Sequence, residues 1–211
     1  MNTTRTYSPL WQLFSYVFHP LFIPLFIYGT LIYLTPVFGI VTYSQANNLM
    51  LNVLVNLVFF QGFTVFLLYK LKFINSIYLH TAKERIVPIF SYTVYTFWLW
   101  AFVLVKNPIQ YPKVATAVAF VLFAISATTL IINSFIKVSL HLIGMGMLVA
   151  ISIIITTFYH HTIAYILWAL IATLAVLLAR LQGSNHTRTE LIVGFILGFL
   201  PMLVIPYFFS K

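Results

Sequence analysis

The chain has 211 residues, of which 62% are hydrophobic and 6% charged, with 11 Lys and Arg against two acidic residues and a formal net charge of +9. So few charged side chains cannot cover a water-facing surface, where about 25% is usual, and so apolar a chain is not disordered. A polytopic membrane protein remains, with residues 1–211 as one integral membrane domain.

The first residues, Met1 to Phe14, hold one Arg and no small-residue cleavage site, so no cleavable signal is expected. Seven stretches then approach the roughly 20 apolar residues that a membrane helix needs. They run from about Leu21 to Val41, Asn47 to Tyr69, Ile86 to Val105, Val114 to Ile136, Ser139 to Tyr159, Thr162 to Leu181, and Glu190 to Phe209. Polar segments separate several of them, notably Lys70 to Arg85 and Gln182 to Thr189. Nothing alternates with period two, as barrel strands would. The expected fold is all-α, a transmembrane helical bundle of six to seven spans.

Seven crossings put Arg5, Lys70, Lys72, Lys83, Arg85, Lys137, Arg180 and Arg188 on the N-terminal side, and Lys106, Lys113 and Lys211 on the other. Positive-inside counting makes the N-terminal side cytoplasmic. Without Lys83, Arg85, Arg180 and Arg188 the count is four against three, so orientation stays open if those cations belong to a site. The cations are spread thinly between apolar runs, which excludes a nucleic-acid partner. Cys is absent, which removes disulfides, thiolate metal sites and Cys nucleophiles.

The N-terminal side also holds both acids, Glu84 and Glu190, with His80, His141 and His186. Three clusters enter helices there: His80 to Pro88, Lys137 to His141, and Arg180 to Glu190. Ionisable residues near a bilayer are functional candidates. Arg85, Arg180 and Lys83 would form a pocket for a dianionic group, the guanidinium forks matching phosphate oxygens. His186 and Glu190 are four apart, one face of a helix. A carboxylate on one imidazole nitrogen fixes the tautomer and frees the other to attack. His141 could be the general acid, and Ser139 and Asn185 could donate to phosphate oxygens. The helix N-termini that follow add anion affinity.

Ala179-Arg180, five residues, His186, three residues and Glu190, with Gly194 beyond, resembles the third motif of the type 2 phosphatidic acid phosphatase and vanadium haloperoxidase superfamily. That motif has Ser where Ala179 stands and Asp where Glu190 stands. Ser139-Leu140-His141 resembles the second motif, with Val138 and Leu140 replacing its Pro and Gly. Lys83, Arg85 and Pro88 are a scrambled form of the first. The resemblance covers a core of about residues 80–200. It implies an integral membrane phosphatase that hydrolyses or transfers a lipid phosphate or diphosphate without a metal or other cofactor. His186 would be the nucleophile, Glu190 its orienting acid, and His141 the proton donor. Lys83, Arg85, Ser139 and Arg180 would hold phosphate. The expected location is a bacterial inner membrane, among membrane lipids, with a homo-oligomer or larger complex left open.

Two other readings stand beside it. One is a catalytically degenerate relative that keeps a lipid phosphate as a structural ligand or serves as a subunit of a membrane complex. The other is a transporter, which would want charges in mid-helix; here they cluster at helix ends. Single cations such as Lys70, Lys72, Lys106 and Lys113 read as snorkelling anchors. His19, His160 and His161 read as interfacial, with a metal site at the last pair disfavoured by the lack of carboxylates near it. Gly144 and Gly146 are expected to let their helix pack closely. Asn52, Asn56 and Gln61 are expected to form interhelical hydrogen bonds.

Overall fold

A computed structural model describes residues 9–34, 42–107, 111–159, 163–183 and 186–208. Every regular element among them is helical, and six helices are long and apolar enough to cross a membrane. The protein is an integral membrane protein built as an all-α bundle. A short helix α1 (Pro9–Val17) precedes α2 (Ile23–Gly29), which a π-helical turn continues through Thr30–Leu34. The expected first span covers α2, but its residues 35–41 lie outside the described ones.

The second span joins α3 (Tyr43–Val53) to α4 (Phe60–Lys70) through a π-helical stretch, Leu54–Phe59. The third is α5 (Ala82–Trp98) with a π-helical end, Leu99–Leu104. Both π-helical stretches show the wider hydrogen-bond step, Phe60 N–H to Val55 O and Val105 N–H to Trp100 O. Then come α6 (Lys113–Asn133), α7 (Leu140–Tyr159), α8 (Ala164–Gly183) and α9 (Arg188–Met202). A 3-10 turn, Ile205–Phe208, ends the described chain.

α5 begins four residues before the expected Ile86. The cause is local. Thr81 Oγ1 accepts from Glu84 N–H at 3.2 Å, and Glu84 Oε2 accepts from Thr81 N–H at 3.1 Å. This reciprocal box satisfies two backbone groups that a helix start would otherwise leave bare. Lys83, Glu84 and Arg85 therefore stand in the first turn of α5, not in a loop.

α7 is the central helix: 72% of its span is buried, against 22–28% for most of the others. It packs most closely on α9. Glycines permit that approach, as van der Waals contact requires when lipid supplies no hydrophobic drive between helices. A Cβ at Gly146 would strike Phe195 O, and one at Gly198 would strike Ile143 O. Gly194 does the same nearer the membrane face, where a Cβ would lie 2.7 Å from Ser139 O. The start of α9 is thus held against the start of α7. Gln61 donates from α4 to Pro88 O on α5 at 2.9 Å, and Asn52 donates to the Tyr111 hydroxyl at 3.1 Å. Asn56 instead donates to Asn52 O in its own helix.

Candidate functional site

α9 starts with the same box that starts α5. Thr187 Oγ1 accepts from Glu190 N–H at 3.3 Å, and Glu190 Oε2 accepts from Thr187 N–H at 3.2 Å. Here the carboxylate has one more partner: the same Oε2 lies 2.7 Å from His186 Nδ1. A carboxylate only accepts, so Nδ1 carries the hydrogen and the lone pair is on Nε2. The His186 side chain is 4% exposed. Burial holds its pKa below the ordinary 6.5; the Glu190 hydrogen bond opposes this, and the Arg85 and Lys137 cations add to it.

Arg85 leaves α5 on the inner side and is buried. Its Nε donates to Leu79 O at 2.9 Å and its Nη1 to Val138 O at 2.6 Å. Leu79 has a φ of 51°, a left-handed conformation that a branched side chain seldom adopts and that costs on the order of 1 kcal/mol. Its carbonyl turns to Arg85 from there. Among the described residues no carboxylate contacts this guanidinium. Glu190 and Glu84 act on it only from a distance, and a buried cation with no anion in contact is expensive.

His141 opens α7. Its Nε2 lies 3.2 Å from Ser15 O, and since a carbonyl only accepts, Nε2 carries the hydrogen and Nδ1 is the nitrogen left to act. The ring meets that of His19 edge to face, with centroids 5.4 Å apart. Ser139 is fully buried; its N–H donates to Glu190 O at 3.3 Å, and its hydroxyl has no partner among the described residues. Lys137, just before it, has a lowered pKa, through burial first and then the nearby Arg85.

These groups meet at one cleft of about 1020 Å³. Its polar end is lined by His19, His80, Arg85, Lys137, His141, Arg180 and His186. It then runs inward between α4, α5, α6 and α7 past Ile89, Tyr92, Leu122, Ile125 and Met147. Tyr92 is ten residues past Ala82 and Leu122 eleven before Asn133. At 1.5 Å per residue the cleft reaches about 15 Å inward, roughly half the hydrocarbon thickness. Phe66 and Ile77, both exposed, stand at its rim.

Of the residues expected to form the site, His141, His186, Arg85 and Arg180 line this cleft. Glu190 stands behind His186, and Ser139 lies buried beneath the cleft wall rather than on it. Lys83 is exposed and does not line the cleft. Two residues apart on a helix is about 200° of rotation, so Lys83 and Arg85 cannot serve one pocket. Asn185, His160 and His161 lie outside the described residues.

Lys137, His80 and His19 line the polar end of the cleft and were not among the expected site residues. Lys137 could have been found, since it sits two residues before Ser139 in the second cluster. His19, read as an interfacial residue, had no local signal: it comes to His141 through the packing of chain segments 122 residues apart. The cleft wall also takes in Ser15 to Leu21 and Gln61 to Phe66, outside the core of about 80–200 that the motifs outline.

Among the described residues no group of three or more His, Asp or Glu gathers as a metal-ligand set. The chemistry of the lining is that of an anion site: two guanidiniums, one ammonium and imidazole N–H groups. Compared with family models, curated proteins and solved structures, the chain matches none.

Proposed function

We propose that this protein is an integral membrane phosphatase acting on a lipid phosphate or diphosphate. The observation that carries the reading is the pairing of two features in one cleft. Arg85 is buried with no carboxylate in ion-pair contact among the described residues, although Glu190 and Glu84 stand nearby, and His186 has Nδ1 tied to Glu190 with Nε2 left free. A phosphoryl group supplies the anion that the first lacks and the electrophile that the second can use. Arg85, Arg180 and Lys137 neutralise its oxygens. The apolar depth of the cleft and its exposed rim suit the tail of an amphiphile.

In the proposed reaction the His186 Nε2 lone pair attacks phosphorus. A P–N bond forms as the P–O bond to the leaving group breaks. Protonated His141 gives the Nδ1 proton to the departing oxygen, while its Nε2–H stays on Ser15 O. Glu190 offsets the positive charge that develops on the phosphorylated ring. Water then gives a proton to His141 Nδ1 and its oxygen to phosphorus. The P–N bond breaks, and its electron pair returns to Nε2. The proposed location is a bacterial inner membrane, with the head group entering from the N-terminal side.

Phosphate release from long-chain alkyl phosphates, diacylglycerol phosphate and isoprenyl phosphates and diphosphates tests this. The purified parent is expected to release phosphate from at least one. Failure across the panel overturns the reading. The alternative, a catalytically degenerate relative, takes support from Ser139, whose hydroxyl stands off the cleft. It predicts binding of a lipid phosphate without release.

A further inference from the structure

His19 occupies the turn between α1 and α2, far in sequence from every motif. The Leu21 N–H donates to its Nδ1 at 3.3 Å. A nitrogen that accepts carries no hydrogen, so the ring's one N–H is on Nε2. His19 is an exposed residue at the mouth of the cleft, where partial burial of the ring and the nearby Arg180 lower its pKa and so favour the neutral ring and this tautomer. Phe22, at 6.3 Å, and His141, at 5.4 Å, stand edge-on against the ring and restrict its rotation. Among the described residues Nε2–H has no acceptor. The ring lines the cleft beside Arg180 and His141. A donor already fixed in orientation at an anion pocket gives up little entropy on binding.

We propose that His19 is a phosphate-binding residue, its Nε2–H donating to a phosphoryl oxygen on the Arg180 side of the cleft. This rests on the phosphate reading of the site. It makes the N-terminal segment part of the binding pocket. It also gives three of the four cleft histidines separate roles set by their hydrogen bonds: His186 attacks through Nε2, His141 transfers protons through Nδ1, and His19 holds through Nε2–H. No bond is made or broken at His19.

The test uses the full chain, purified in detergent, with orthovanadate as the probe. His19→Phe keeps the ring contacts with Phe22 and His141 and removes the Nε2 donor, together with the Nδ1 that accepts from Leu21 N–H. Titration calorimetry is expected to show vanadate binding weakened roughly 10- to 100-fold, the range for a hydrogen bond to a charged group. His19→Gln, which keeps an N–H, is expected to recover part of the loss. A second measurement needs no variant. In the parent, carbethoxylation of His19 and of His186, followed by peptide mass spectrometry, is expected to slow at both residues when vanadate is present.

Binding by a folded His19→Phe within about threefold of the parent would overturn the proposal. So would unchanged His19 modification while His186 is protected. In both cases the phosphate reading stands. If vanadate neither binds nor protects either residue, that reading falls and this inference with it.

Discussion

The starts of α5 and α9 are built alike and used differently. Each has Thr at the cap and Glu three residues on, and each carboxylate closes the same reciprocal box. At α5 the Glu84 carboxylate also accepts from Asn75 N–H at 3.1 Å, so all its partners are backbone or cap groups. At α9 the Glu190 carboxylate takes an imidazole N–H. Capping and the Asn75 N–H account for Glu84, whereas capping accounts for Glu190 only in part. The chain has two acids, and a helix start explains the position of each. Their position on one membrane face is therefore weak evidence for a site. The histidine on the second one is the informative feature.

Variants can break this comparison at several points, beginning with the largest expected effect. His186→Ala is expected to lower phosphate release by about 10⁴-fold or more while the protein stays folded, because no other group in the cleft has an imidazole lone pair held in place by a carboxylate. Turnover within tenfold of the parent would remove His186 from the reaction. Next, Arg85→Ala is expected to cost about 10²- to 10³-fold in turnover, the scale for losing one donor to developing charge. Lys83→Ala, on the outer side of the same helical turn, is expected to be nearly neutral. Equal losses at the two positions would contradict the assignment of Arg85 alone to the cleft.

The carboxylates give the direct contrast. Glu84→Ala and Glu190→Ala should each lose about 1 kcal/mol of stability, the worth of a cap, read as similar falls in Tm. Only Glu190→Ala is expected also to lose turnover, by about 10²-fold or more. The smallest effect is on pH. Attack needs neutral His186, and burial lowers its pKa. His186 should therefore set a limb below pH 6.5, at its depressed value, with rate lost as the pH falls through it, while the protonated His141 that the reaction also needs sets a second limb with rate lost as the pH rises. Glu190→Gln removes the carboxylate that opposes this shift, so the acid limb should move to still lower pH. A limb that moves upward would reverse the assigned sign.

Much of the fold was legible because membrane spans announce themselves by length and apolarity. The six observed spans fall on expected stretches, with ends displaced by a few residues. The π-helical stretches at Leu54–Phe59 and Leu99–Leu104 were not legible, since an extra residue in a turn leaves no compositional mark. The early start of α5 was legible in Thr81-x-x-Glu84, a capping-box pattern, but its charges disguised it as a loop. Reading it as helix would also have separated Lys83 from Arg85. The His186–Glu190 contact was legible from a four-residue spacing on one helix start. The Ser15–His141 and His19–His141 contacts were not, because only tertiary packing brings those segments together.

Trapping of a covalent intermediate tests the central claim most directly. The purified parent, quenched during turnover of a phosphate ester that it hydrolyses and digested under alkaline conditions, should yield a peptide phosphorylated on His186. The mark should be acid-labile, lie on Nε2, and be missing in His186→Ala. Phosphate release from the parent with His186 unmodified, or with the phosphoryl group on another residue, would contradict the account.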